Sequence, residues 1–208
     1  MTYNRSAFYA FWGLANGPFA FSVLSLKNAL VLHDLPNLAS TFIHLTPVSL
    51  SWCFRWYAND VKKQFPGIFD LPDPKEAATA SLWDIWYPAM AFYFMWWVFY
   101  TFGFMFFAGR WLGSPWHQYD TLFCNTMMKS KQAAKICGWD PSTPESRARM
   151  IPIIIYMLAH ALLVAIVVAG SYLLWSNFWL HSIFAALLFA SCTFHGANRY
   201  FKMMTSYY

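Results

Sequence analysis

The chain has 208 residues, of which 59% are hydrophobic, 22% aromatic and only 11% charged. A water-soluble domain carries about a quarter charged residues, so this composition excludes an ordinary soluble domain and predicts an integral membrane protein. The net charge of +5 is concentrated between Arg110 and Arg149, which points to anionic lipid headgroups and excludes a nucleic-acid partner.

Met1 to Ser6 is a short polar lead. The first expected span is 8–26, just long enough to cross a bilayer. Gly17-Pro18 should break or kink it. It lacks a small-residue cleavage pattern and does not read as a secretory signal. The connector that follows holds His33, Asp34 and Pro36. Proline disfavours helix at Leu35, so a turn or re-entrant bend is expected at 33–37.

The second span, 38–57, is apolar almost all round. At ~100° per residue, Asn37, Ser40, Thr41, His44, Ser51 and Arg55 fall near one face. A polar stripe at membrane depth is costly, so it faces a bundle interior, water or a substrate. Pro47 removes a backbone donor one turn after His44 and should kink the helix.

Residues 58–81 read as a polar loop, punctuated by Pro66, Gly67, Pro72 and Pro74. The third span is 85–108, rich in aromatics. The loop 109–149 carries an interrupted amphipathic pattern, which predicts an interfacial helix within 110–149. Trp116, Leu122, Phe123, Met127 and Met128 are expected to dip into the interface. His117 and Asp120 stand at helical i, i+3 spacing. The fourth span is 151–175, with His160 inside it. The fifth is 178–197, with His181 and His195 near one face. The expected fold is therefore an all-α integral membrane protein, a bundle of about five transmembrane helices in one domain, 1–208.

Six basic residues lie in the 109–149 loop: Arg110, Lys129, Lys131, Lys135, Arg147 and Arg149. The positive-inside rule makes that loop cytoplasmic, together with the 27–37 turn and the C-terminus. Cys53, Cys124, Cys137 and Cys192 have no C-x-x-C spacing and read as free thiols.

Metal binding is not expected, because the histidines are scattered and no H-x-x-x-H or H-E-x-x-H occurs. No cofactor is called for. Nucleotide-binding loops and a G-x-S-x-G elbow are also missing. A neutral histidine in a polar stripe suits general-base work on a hydroxyl. With a thioester as acyl donor, the site needs to hold the alcohol, take its proton and stabilise the oxyanion. Acyl transfer inside a membrane fits this logic, with the acyl chain among Phe and Trp side chains. Two other readings use the same features. One is a transporter or channel for a polar choline-type solute, with aromatic faces for the ammonium. The other is a haem-binding electron carrier ligated by histidines on facing helices.

The order Gly17-Pro18, Asn28-Ala29-Leu30-Val31, His33, Phe42-Ile43-His44, Pro47 and Arg55-Trp56-Tyr57 resembles the glycerophosphocholine acyltransferase family of multi-span proteins. Later landmarks are similar too: Phe92 to Trp96 ahead of Tyr100, Tyr119-Asp120-Thr121, and Gly196-Ala197-Asn198 with Tyr200. The resemblance implies transfer of a fatty acyl group from acyl-CoA, as co-substrate, to glycero-3-phosphocholine. The product is lysophosphatidylcholine, made in phosphatidylcholine remodelling among the lipids of the endoplasmic reticulum. Carried onto matching positions, it makes His44 the expected base and His33 the alternative. Asn28, Arg55, Trp56, Asp120 and Asn198 become substrate-binding candidates. Three departures stand out. Trp97 replaces an expected Gln, His195 replaces an expected Asn, and the spans that precede Gly-Pro in the family are expected to be missing, as in a truncated or short form.

Overall fold

Asn4 caps the first helix, its side-chain oxygen accepting the Ala7 N–H at 3.1 Å. The computed structural model describes residues 4–69, 71–108, 122–140 and 150–205. Every regular element among them is helical: α1 (Arg5–Leu14), α2 (Ala20–Ser25), α3 (Leu35–Trp56), α4 (Ala58–Gln64), α5 (Pro74–Ala78), α6 (Leu82–Val98), α7 (Leu122–Lys129), α8 (Lys131–Cys137), α9 (Met150–Ser176) and α10 (Phe178–Thr205). A single domain was expected. The contacts divide the chain into two compact units, Met1–Phe92 with Val164–Tyr208, and Tyr93–Leu163.

In the first unit, α1 runs into α2 through a π-helical turn, Ala15–Phe19, that contains Gly17 and Pro18. The wider turn absorbs the missing proline N–H without ending the helix. The Ser22 hydroxyl donates to the Pro18 carbonyl at 2.8 Å. Tyr9, Trp12, Gly13, Asn16 and Gly17 form the buried stripe, at i, i+3 and i+4 spacing. A Cβ on Gly13 would stand 2.7 Å from the Ala89 Cβ, and one on Gly17 would press on the Val168 backbone. Small residues here set close helix approach.

After α2 the chain turns at Lys27, which has φ 51°. The Asn28 N–H reaches the Val23 carbonyl at 3.0 Å and the Lys27 N–H the Leu24 carbonyl at 3.2 Å. That pair of bonds is a Schellman cap, with lysine at the left-handed position. The cap releases a non-helical run, Asn28–Val31.

Helix α3 starts earlier than the proline suggested. Asp34 is its N-cap, accepting the Asn37 N–H at 3.3 Å, and Pro36 lies in the first turn. The expected bend at 33–37 is therefore a helix start, because a first-turn proline lacks a donor that would go unused anyway. The α-helix continues past Pro47 to Trp56. Thr41, Leu45, Val48 and Ser51 are its buried face. Leu45 and Val48 meet Ala20, Val23, Leu188 and Cys192 in one core. A second core gathers Tyr9, Trp12, Leu71, Ala77, Ile85 and Trp175.

In the second unit, Phe123, Met127, Ala134, Cys137 and Trp139 pack with Ile153 and Met157. This corrects part of the interfacial-helix expectation. Phe123 and Met127 are buried against protein, while Met128 alone of these three is exposed. The amphipathic face found an internal partner. Trp116, His117 and Asp120 lie outside the described residues.

Of the five expected spans, two helices among the described residues are long and apolar enough to cross a membrane, Ile151–Ser176 and Phe178–Thr205. The others fall short for readable reasons. In the first, the π turn leaves α-helical segments of 10 and 6 residues on either side, the polar stripe dilutes α3, and α6 gives way at Val98 to a π-helical stretch, Phe99–Ala108.

Candidate functional site

A non-helical backbone inside a helical bundle needs partners for its N–H and C=O groups. Asn28–Val31 finds them on two helices. On α3, the Thr41 hydroxyl donates to the Ala29 carbonyl at 3.1 Å. On α10, the Cys192 carbonyl accepts the Leu30 N–H at 3.0 Å. One residue on, the Tyr200 Oη accepts the Leu32 N–H at 2.9 Å. Gly196 lets α10 come this close, because a Cβ there would strike the Leu30 carbonyl oxygen.

This clamp delivers Asn28 to His44. The buried Asn28 amide nitrogen lies 2.9 Å from the Ser40 carbonyl oxygen and 2.9 Å from the His44 Nδ1. Nδ1 in turn lies 2.8 Å from the same carbonyl. A carbonyl oxygen only accepts, so this contact calls for the ring proton on Nδ1, while the Asn28 amide nitrogen only donates and calls for a lone pair there; Nδ1 satisfies one of the two at a time. With the proton on Nδ1, Nε2 keeps its lone pair, and it makes no hydrogen bond among the described residues. A backbone carbonyl fixing one nitrogen so that the other is basic is how a histidine is prepared as a base.

Near the ring runs an apolar groove of about 380 Å³, lined by Ala7, Phe11, Leu14, Phe19, Pro47 and Phe92 among others. Phe19 joins the two features, since its ring centroid is 6.2 Å from that of His44. Pro47 lies one turn along α3 from His44.

His33 takes a different setting. It is exposed, and its ring meets Tyr200 edge-on at 5.0 Å. Both residues line a cleft of about 430 Å³ with Asp34 and Arg199.

Arg55 and Trp56 stand at the far end of α3, eleven and twelve residues from His44, which is ~16 Å or more along the axis. The structure does not bring them to His44. The Arg55 guanidinium carbon lies 4.4 Å from the Trp56 ring centroid and 4.5 Å from that of Trp175. Its Nε is buried without a hydrogen-bond partner among the described residues. Trp56 donates its indole N–H to the His181 Nδ1 at 3.0 Å. An indole nitrogen only donates, so Nδ1 accepts and the proton sits on Nε2. Nε2 accordingly donates to the Asn16 Oδ1 at 2.8 Å. The Asn16 amide nitrogen completes the network at the Ser51 hydroxyl, 2.9 Å away, and the Trp12 carbonyl, 3.2 Å away. His181 is fully buried with both ring nitrogens engaged, leaving no lone pair for a haem iron. Asn198 is exposed on α10 with no hydrogen bond among the described residues. Asp120 is outside them.

Comparison with known proteins follows the same direction. The chain is similar, over part of its length, to an acyltransferase. That relative is glycerophosphocholine acyltransferase 1 of Schizosaccharomyces pombe (strain 972 / ATCC 24843), 29% identical over 93 residues. The match covers 40% of this chain and 23% of the relative's length. No family model matches the chain, and no solved structure does.

Sequence reasoning missed the Asn16–Ser51–His181 network and the partners of the non-helical run. Asn16 sits beside the Gly-Pro step, and Ser51 was on the polar stripe, but nothing in one sequence pairs them with His181. Tyr200 was noted only as a late landmark.

Proposed function

We propose that this chain transfers an acyl group from acyl-CoA to a hydroxyl of glycero-3-phosphocholine, with His44 as general base. The single observation carrying this reading is His44 itself: a histidine with Nδ1 held on a backbone carbonyl, Nε2 unclaimed among the described residues, next to an apolar groove. The partial likeness to a glycerophosphocholine acyltransferase supplies the substrates.

In this reading the acyl chain lies in the Phe11–Phe19–Pro47 groove and presents its thioester near His44. Nε2 takes the proton of the alcohol. The alcohol oxygen attacks the thioester carbon, the tetrahedral intermediate collapses, and the carbon–sulfur bond breaks. The CoA thiolate leaves and recovers the proton from the imidazolium. No covalent enzyme intermediate is needed. Asn28 acts as a positioning residue, because its amide already faces the Ser40 carbonyl and His44. Arg55 and Trp56 hold the other end of α3.

The five-span arrangement and residence in the endoplasmic reticulum belong to the same proposal. Leu158, Leu162, Ile166 and Leu173 of α9, and Trp179, Ile183 and Leu187 of α10, are exposed large apolar residues, which suits a hydrocarbon surrounding. The test is release of free CoA thiol by the purified chain in lipid nanodiscs, with and without glycerophosphocholine. Release that depends on the alcohol supports the proposal. Binding of the alcohol without any thiol release favours a solute transporter instead.

A further inference from the structure

The cleft at the start of α3 carries opposite charges that do not neutralise one another. Its lining includes Asp34, Arg199, His33, Tyr200, Val31 and Met203. Ion pairs among the described residues are Arg5 with Glu76 and Lys62 with Asp73. Asp34 and Arg199 therefore line one cleft of about 430 Å³ while staying beyond the 4.0 Å of an ion pair. Asp34 is held in place by Asn37, which donates both its backbone N–H and its side-chain amide to the carboxylate. Tyr200 is held by the Leu32 N–H, and the edge-on His33 ring braces its side. One fixed anion, one cation and an aromatic ring between two walls match a ligand that is itself a zwitterion.

We infer that this cleft captures a phosphocholine-type zwitterion. Arg199 takes the phosphate oxygens by charge-assisted hydrogen bonds. Asp34 and the Tyr200 ring take the quaternary ammonium, which has no N–H to donate and is recognised by charge and by an aromatic face. Leu35 is nine residues from His44, ~14 Å along α3, so the cleft is a capture site apart from the reacting centre. The inference rests on the acyl-transfer reading for the ligand's later path, but its test needs no turnover.

The experiment is a binding titration on the full chain in phosphatidylglycerol nanodiscs, with glycerophosphocholine, choline and glycerol 3-phosphate as separate probes. Arg199→Gln is an exposed change. Asp34→Asn keeps the helix cap, since asparagine caps as well as aspartate. Arg199→Gln is expected to weaken glycerophosphocholine and glycerol 3-phosphate about tenfold and leave choline unchanged. Asp34→Asn is expected to weaken glycerophosphocholine and choline about tenfold and leave glycerol 3-phosphate unchanged. Equal weakening of all three probes by either variant, or none by both, overturns the assignment. So does failure of the wild type to bind glycerophosphocholine. In any of these cases alcohol-dependent thiol release, measured separately, keeps or removes the acyl-transfer reading. Repeating the titration in phosphatidylcholine nanodiscs separates the sources. Competition there assigns the cleft to a lipid headgroup, and undiminished binding assigns it to the soluble diester; both support the zwitterion.

Discussion

The Asn28 amide nitrogen and the His44 Nδ1 lie 2.9 Å apart, sixteen residues distant in sequence, and both reach the Ser40 carbonyl. Asn28 acts on chemistry through His44 in this account. Asn28→Ala is therefore expected to lower kcat about tenfold. The double variant with His44→Ala is expected to be no slower than His44→Ala alone, because groups that act as a unit are not additive. Multiplying effects in steady-state kinetics would contradict the coupling.

His181 is a structural hub. Replacing it with Leu strips partners from the half-buried Trp56 indole and the buried Asn16 amide. Buried polar groups left without partners cost about 2–4 kcal/mol for the two together. Thermal unfolding of His181→Leu in nanodiscs should show that loss. The fraction still folded should keep a near-normal KM, which a substrate-binding histidine would not.

Much of the helical architecture was legible from local pattern. The polar stripe on α3 does turn inward at Thr41 and Ser51, because period alone decides which residues share a helix face. Pro18 was read as a break or kink and Pro36 as part of a turn or re-entrant bend, yet a π turn absorbs one and a first helical turn the other. Proline's meaning depends on where the helix begins, and the Asp34 cap settles that. His44 was legible as a candidate from its stripe. Its hydrogen-bond setting was not, because that depends on how Asn28 and the Ser40 carbonyl approach Nδ1. The roles of His181 and Gly196 were equally hidden, since each is defined by a contact with a residue more than 100 positions away.

Gly196 allows α10 to touch the non-helical run Asn28–Val31. In Gly196→Ala the new methyl meets the Leu30 backbone, which has no flexible end to swing aside. Overpacking of this kind costs about 1–3 kcal/mol. The expected result is a lower melting temperature together with faster amide exchange at Leu30 and Leu32. Unchanged exchange there would separate Gly196 from the clamp.

Asp84 caps the start of α6. Its carboxylate accepts both the Ser81 N–H and the Ser81 hydroxyl at 2.8 Å, and these donors hold its pKa below the usual carboxylate range. A depressed folded value means the stabilisation is present above the unfolded pKa, ~3.9, and is lost as pH falls through the folded value. The site is exposed, so Asp84→Ala is expected to cost only about 0.5–1 kcal/mol at pH 7. Melting curves of wild type and variant should converge as the pH drops below 4; a gap that persists in acid would contradict the charged cap.

The central claim is that His44 removes the proton of an alcohol during acyl transfer. The most direct measurement is the single-turnover rate of lysophospholipid formation from acyl-CoA and glycerophosphocholine, in wild type and in His44→Ala, with folding checked by thermal melting. The account predicts product from the wild type and a rate about 10²- to 10⁴-fold lower in a variant that melts normally. An equal rate in the two proteins would remove His44 as the base and leave His33 as the next histidine to test.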